Sequence, residues 1–264
     1  MTLPDHAATG GDVPGLDHGP RPAGVPSSGH ASRLGDMTFP EAEATAAAGA
    51  VLAVPVGSTE QHGPHLPLST DADLADALCR RLAEERADVV VAPVLAYGAS
   101  GEHAGFAGTL SIGTEALATL LIELGRSAGE TFGRMLIVSA HGGNAEAVAR
   151  AASKLRAESR DVMAWTPRWT GDAHAGFVET SLQLALDGAR VRTERAAAGA
   201  TEPLDELMPV LRTGGVRAVS GNGVLGDPAG ATEAEGKRVL DDLTAGLLAV
   251  VARWAGPATT GAPS

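Results

Sequence analysis

Four groups able to ligate a metal crowd one short run, Gly57-Ser-Thr-Glu-Gln-His-Gly-Pro-His-Leu-Pro-Leu-Ser-Thr-Asp71: Glu60, His62, His65 and Asp71. They follow directly on the apolar run Val51-Leu-Ala-Val-Pro-Val56. Such groups are costly to desolvate, so a loop that gathers them at the end of a buried strand points to a divalent cation and hydrolytic chemistry. Glu60 and His62 are two apart, and in extended chain such a pair points to one side. Asp71 has two oxygens with which to bridge two cations. Carboxylate and imidazole ligands suit Zn(II), Fe(II) or Mn(II) alike.

Two further stretches carry the same chemistry. In His141-Gly-Gly-Asn144 the glycines allow a sharp turn, and His141 is read as a ligand projecting from a strand end. The competing reading is a phosphate- or nucleotide-binding module that uses the same turn at a helix N-terminus, although no phosphate-binding glycine fingerprint surrounds it. Residues 172–181 hold His174 and Glu179, five apart. With Glu179, three carboxylates against two divalent cations leave a residual charge of about +1. A bridging hydroxide would neutralise it, since coordination lowers the pKa of water to about 7. His174 is then free to serve as proton donor. Glu102 and His103, in a glycine-rich loop, and Trp165 and Trp169, just before His174, are expected to shape a substrate pocket.

Strand and helix signals alternate around these residues. Apolar runs at 51–56, 89–94, 135–140 and 162–166 read as strands. Helical patterns cover 73–86, 114–131, 145–158, about 174–186 and 232–254, with Thr70 or Asp71 placed to cap the first and Asn144 the third. The alternation predicts an α/β fold with a parallel or mostly parallel sheet. Ligands of such sheets bind beyond the carboxyl ends of the strands, where Glu60, His62, His141, His174 and Glu179 would meet.

Composition narrows the rest. The chain has 264 residues, 44% of them hydrophobic but only 3% aromatic, so the core is built from small side chains. A net charge of −12, with Lys154 and Lys237 the only lysines, argues against a nucleic-acid surface. The single cysteine, Cys79, excludes an intrachain disulfide. No apolar run is long enough for a membrane span, and no secretion signal is evident, so a cytoplasmic location is expected. Residues 1–34, rich in Gly, Pro, Ser and His, read as a disordered leader; 35–255 as one catalytic domain; 256–264 as a flexible tail.

Taken together, the 57–71 run, the Ser-Ala-His-Gly-Gly-Asn turn and the 172–181 segment resemble the creatininase (creatinine amidohydrolase) family over about residues 45–255. The resemblance implies a three-layer α/β/α sandwich, a homo-oligomer (often a hexamer) and a binuclear metal centre that hydrolyses carbon–nitrogen bonds. By motif position it implies Glu60, His62, Asp71, His141 and Glu179 as metal ligands and His174 as general acid/base. Creatininases proper carry His-Tyr-Glu-Asn at the third-strand turn, and that Glu binds metal. Gly143 stands there in this chain, which shifts weight onto Glu179. Tyr97-Gly-Ala-Ser-Gly-Glu-His, Ser111-Ile-Gly-Thr-Glu-Ala-Leu, Val191-Arg-Thr-Glu-Arg and Gly223-Val-Leu-Gly-Asp-Pro are similar to the creatininase-like peptidases of mycofactocin maturation. That likeness implies Fe(II) or Zn(II), a modified precursor peptide as partner and release of its C-terminal Val-Tyr core. Formamide hydrolases of flavin or deazaflavin biosynthesis and creatininase itself are the alternatives within the family.

Overall fold

Four parallel strands run β2–β1–β3–β4 in the computed structural model, which describes residues 32–258. They are β1 (Val51–Val56), β2 (Val89–Val91), β3 (Arg134–Ser139) and β4 (Asp161–Trp165). β1 and β3 pair in register from Val51↔Arg134 to Val56↔Ser139. All six residues of β1 are buried, as expected of a parallel strand covered on both faces. Pro55 sits in this central strand without breaking the sheet. Its carbonyl accepts from Leu95 N–H at 2.9 Å, so the missing donor faces the side on which β2 has already ended.

The period-2 alternation along β1 sorts the core into two halves. Leu52, Val54 and Val56 face α1 (Phe39–Ala47), α3 (Gly113–Ala128) and α4 (Ala145–Ala157). Val51 and Ala53 face α2 (Thr70–Glu85), α5 (Phe177–Asp187) and α8 (Glu233–Ala255). The result is a three-layer α/β/α sandwich. α5 and α8 approach closely, because a Cβ on Gly236 would overlap the Ser181 carbonyl. Cys79 is fully buried in α2. No helix among the described residues is long and apolar enough to cross a membrane.

β1 leads to α2 on one face of the sheet, whereas neighbouring β3 leads to α4 on the other. The crevice between their carboxyl ends is the switch point at which open α/β sheets bind ligands.

Several elements depart from the sequence patterning. α1 begins at a Thr38-Phe-Pro-Glu41 capping box, in which the Glu41 carboxylate accepts from Thr38 N–H at 2.7 Å. α6 (Leu204–Gly214) and α7 (Val216–Val219) occupy what patterning leaves as loop. Ser32 and Arg33 already pair with Val91 at the sheet edge. Leu34 opens a short 3-10 turn, so residues 32–34 of the expected leader are ordered against the domain; residues 1–31 lie outside the described residues, as do residues 259–264 of the expected tail.

Candidate metal centre

The loop after β1 is pinned before it reaches the site. Glu60 N–H donates to Leu68 O at 3.0 Å, and Leu110 N–H to Thr59 O at 2.8 Å. Gly57 lies so close to α2 that a Cβ would overlap Ala72 backbone. α2 therefore starts against the strand end, with Asp71 in its first turn.

Neither Thr70 nor Asp71 takes the capping position; Ser69 does. The Asp71 carboxylate turns into the crevice instead. Its Oδ2 accepts from Ser58 Oγ at 2.6 Å. Oδ1 lies 3.2 Å from His62 Nε2, and Oδ2 lies 3.3 Å from His141 Nδ1. Asn144 precedes α4 but makes no side-chain cap. Its amide accepts from Ala99 N–H at 2.8 Å and donates to the Gly57 carbonyl at 2.9 Å, tying together the loops after β1, β2 and β3. In both places a good capping residue has a partner from distant chain that holds it more strongly than the local amide.

Glu179 is aimed by the turn before α5. Its Oε2 accepts from Ala175 N–H at 2.6 Å, and Ala175 adopts φ 52°, a conformation that costs a non-glycine residue about 1 kcal/mol or more. Asp172 accepts from Phe177 N–H at 2.6 Å and fixes the helix start. His174 is held by a two-way backbone bridge with Leu225.

These elements bring five of the expected residues together. Glu60 Oε2 lies 3.2 Å from His141 Nε2, and Glu179 Oε2 lies 4.0 Å from His62 Nε2. Two trios of potential ligand atoms, each within 4.8 Å of one another, share Asp71: Glu60–Asp71–His141 and His62–Asp71–Glu179. A third trio, Glu60–His62–His174, overlaps both. His65 belongs to none of them. It bonds Thr180 Oγ1 at 2.9 Å and braces the loop against α5.

The donor set fits a divalent cation. Glu60, Asp71 and Glu179 are buried, and their ion-pair partners within 4.0 Å are all imidazoles among the described residues. Neither Glu60 oxygen makes a well-aligned hydrogen bond there, although an imidazole nitrogen lies 3.2 Å from each. A buried carboxylate so placed is compensated by a positive ion.

The charge states of the metal-free cluster point the same way. Burial, assisted by Asp71, pushes Glu60 up to about 7. Burial would strip His62 of its proton, but Asp71, Glu179 and Glu60 outweigh it and raise His62 to about 10. His141 is likewise raised against its burial, by Asp71 and Glu102. Asp71 lies well below the carboxylate range; burial opposes this, but His62 and His141 prevail. Protons stand in for cations between the carboxylates.

Gln61, which residue types did not single out, orients two imidazoles. Its Nε2 donates to His103 Nδ1 at 2.9 Å and to the Gly223 carbonyl at 3.0 Å. His103 Nε2 is then the atom facing Glu60 Oε1, at 3.2 Å. His174 Nε2 donates to the Gln61 carbonyl at 2.8 Å, which leaves Nδ1 facing Glu60 and Glu179, each at 3.9 Å. Burial and the charges of His62 and His103 depress His174 well below the ordinary imidazole range. Gly223 has φ 82°, and a Cβ there would overlap the Gln61 amide.

Glu102 completes the rim. Its Oε1 is 3.3 Å from His141 Nε2 and stands where a Cβ on residue 143 would be. Gly143 thus leaves room for a carboxylate that comes from another loop.

A cavity of about 670 Å³ opens over this floor, lined by Glu60, Asp71, Glu102, His103, His141, His174 and Glu179. Trp165 and Trp169 do not line it, contrary to expectation. Both pack, half-buried, against the α5–α8 half of the core. The phosphate reading of the 141–144 turn is not favoured: the protein groups beside it in the cavity include Glu60, Asp71, Glu102 and Glu146, and Arg212 is the one cationic side chain there that is not an imidazole.

Known proteins agree with this geometry. The family profile described as "Creatininase: Creatinine amidohydrolase" matches residues 35–251. A mycofactocin precursor peptide peptidase of Mycolicibacterium smegmatis is 51% identical over 208 residues, 76% of this chain and 84% of that protein. Among solved structures, a Zn-Zn form of a creatininase mutant superposes with a TM-score of 0.72 at 26% identity, covering 85% of this chain and 98% of that one. A structure described as creatininase Mn does so with 0.72 at 25%, covering 86% and 100%. The buried cluster is able to hold a divalent cation, and the protein is a hydrolase of carbon–nitrogen bonds. With a shared fold, a matched span of most of its length and the acidic–imidazole floor between β1 and β3, the chain belongs to the creatininase family.

Proposed function

We propose that this chain is a metal-dependent peptidase that releases the C-terminal Val-Tyr dipeptide from a modified mycofactocin precursor peptide. The carrying observation is the pair of buried ligand trios that share Asp71 at the floor of an open cavity. The name borne by the 51% identical relative supports the peptide substrate.

In this reading Glu60, Asp71 and His141 would hold one divalent cation, and His62, Asp71 and Glu179 would hold a second, with Fe(II), Zn(II) or Mn(II) as the occupants. Such cations polarise the scissile carbonyl and lower the pKa of water. Ser58 holds Asp71 by its 2.6 Å bond so that each oxygen faces a different trio. Gln61 fixes the ring orientations of His103 and His174 through its amide and carbonyl. His174 handles the proton at the leaving nitrogen through Nδ1, the ring atom not engaged by Gln61. Glu102 and His103 border the reacting region. The protein works in the cytoplasm as a homo-oligomer, a hexamer by family likeness.

The test presents purified protein with precursor peptide, a formamidopyrimidine and creatinine. Dipeptide release seen by mass spectrometry, lost on chelation and restored by Fe(II) or Zn(II), is the expected result. Hydrolysis of creatinine or the formamide with the peptide left intact overturns the reading.

A further inference from the structure

The roof of the cavity is α6, and it is built unlike the floor. Leu204, Met208 and Leu211 fall at i, i+4 and i+7 on one face, and all three line the cavity. α6 buries none of its residues, and Leu204 is 47% exposed. Met208 and Leu211 are half-buried, and this face borders the same cavity as the candidate ligands Glu60, Asp71, His141 and Glu179.

Arg212 follows Met208 by four positions, on the same face, and lines the same cavity. The other charged side chains lining it are carboxylates and imidazoles. Arg217, on α7, is already engaged: it lies over the Phe106 ring, 5.4 Å from its centroid, and donates to the Gly105 carbonyl. Arg212 is exposed and has no such partner among the described residues.

We propose that Arg212, with Leu204, Met208 and Leu211, forms the subsite for the C-terminal residue of the substrate. The guanidinium takes the free α-carboxylate, and the apolar helix face takes the side chain. The proposal rests on the peptidase reading and specifies how that activity selects its bond. A guanidinium is charged at any working pH and matches a carboxylate with two parallel hydrogen bonds. Glu102 and Glu146 on the rim disfavour a free carboxylate elsewhere in the cavity, so the chain end has one favourable anchor. With the terminus held at the roof, a bond a short distance inward reaches the floor. Cleavage is confined to the end of the peptide, and a substrate without a carboxylate gains nothing from Arg212.

The experiment compares wild type and Arg212→Gln on precursor peptide with a free or an amidated C-terminus, and measures binding of the product dipeptide acid and its amide by calorimetry. Charged hydrogen bonds of this kind correspond to roughly 10- to 100-fold in binding. The expected result is a KM higher by that factor for the amidated peptide in wild type. Arg212→Gln should show the same rise on the free acid, no remaining preference, a kcat within about threefold and unchanged metal content. Equal KM values for both proteins, with the preference for free acid retained, overturn the subsite and leave the peptidase reading standing. If wild type cleaves neither peptide yet binds the dipeptide acid through Arg212, the subsite stands and the peptidase reading falls. If it neither cleaves nor binds, both fall.

Discussion

The floor and the roof of the cavity are held by opposite means. Asp71, His141 and Asn144 each meet two or more partners from other loops, and every expected ligand on the floor is at most 7% exposed. No α6 side chain is fully buried, and its apolar face borders the cavity. A reacting centre must be fixed within a fraction of an ångström, which a cross-linked floor provides. Selection among substrates asks only for complementary surface, which a lightly held helix can change without disturbing the ligands. Substitutions on the floor should therefore alter metal content and kcat, and substitutions on the roof KM.

The largest effect falls on Asp71, shared by both trios. Asp71→Ala should abolish stoichiometric metal binding, read by elemental analysis, and lower kcat/KM by about a thousandfold or more, the loss of a central electrostatic group. A metal-replete Asp71→Ala protein with normal turnover would remove the shared-ligand reading. Next comes Gly143→Ala. The added methyl overlaps Glu102, the Ala99 carbonyl and His141 Nε2, so His141 must shift. Metal affinity should fall about 10- to 100-fold, the scale seen when groups supporting a ligand are disturbed. Wild-type affinity by calorimetry would show that the contact relaxes freely.

Much of the floor is legible in the sequence, because its ligands are chemically conspicuous and sit at strand ends that apolar runs reveal. Glu60, His62 and Asp71 need only β1 to be recognised, and His141 only β3. What escapes depends on partners distant in sequence. Gln61 looks like a linker between Glu60 and His62, and its role appears only when Gly223, 162 positions later, closes on its amide. Glu102 is expected at the pocket, but its approach to His141 appears only when Gly143 is seen to leave space for it. α6 is hidden by Pro209 in its interior and by Gly214 and Gly215 at its end, residues that usually mark loops. Trp165 and Trp169 misled for the converse reason: bulk near His174 in sequence serves core packing as readily as a pocket wall. α1 could have been read from its capping box.

Gln61→Leu tests whether orientation of the His103 ring matters apart from ligation, because the backbone carbonyl that holds His174 is kept. It leaves the Gly223 carbonyl, His103 Nδ1 and Gly63 N–H without their side-chain partner. Stability should drop by about 2–4 kcal/mol, at ~1–3 for each unsatisfied group with partial relaxation. Activity should fall about 10- to 100-fold with metal still bound. A protein that loses only stability would make Gln61 a structural cross-link alone.

Acidity separates the two regions as well. In the metal-free floor His62 keeps its proton up to about 10 against an ordinary 6.5, and Glu60 up to about 7 against 4.5. Both must give up protons to ligate, so metal uptake near pH 7 should release protons. Affinity should climb as pH rises from about 6 to 9, roughly tenfold per unit for each proton displaced. Without metal, the stabilisation from protonated His62 is complete below about 6.5 and is lost as pH rises through about 10, so apo protein should weaken toward alkaline pH while holo protein does not. Calorimetry in buffers of different ionisation enthalpy counts the protons, and a count of zero contradicts a floor held together by them.

The smallest effect is expected on the roof. Leu204 is already 47% exposed, and truncating it to Ala removes little buried area, so unfolding free energy should stay within about 0.5 kcal/mol of wild type. The face it belongs to still covers the bound substrate. The transfer free energy of a partly buried leucine, about 1 kcal/mol, predicts a KM for precursor peptide roughly fivefold higher with kcat and metal content unchanged. A fall in kcat at constant KM would mean that α6 positions the reacting groups, and the division of labour between roof and floor would not hold.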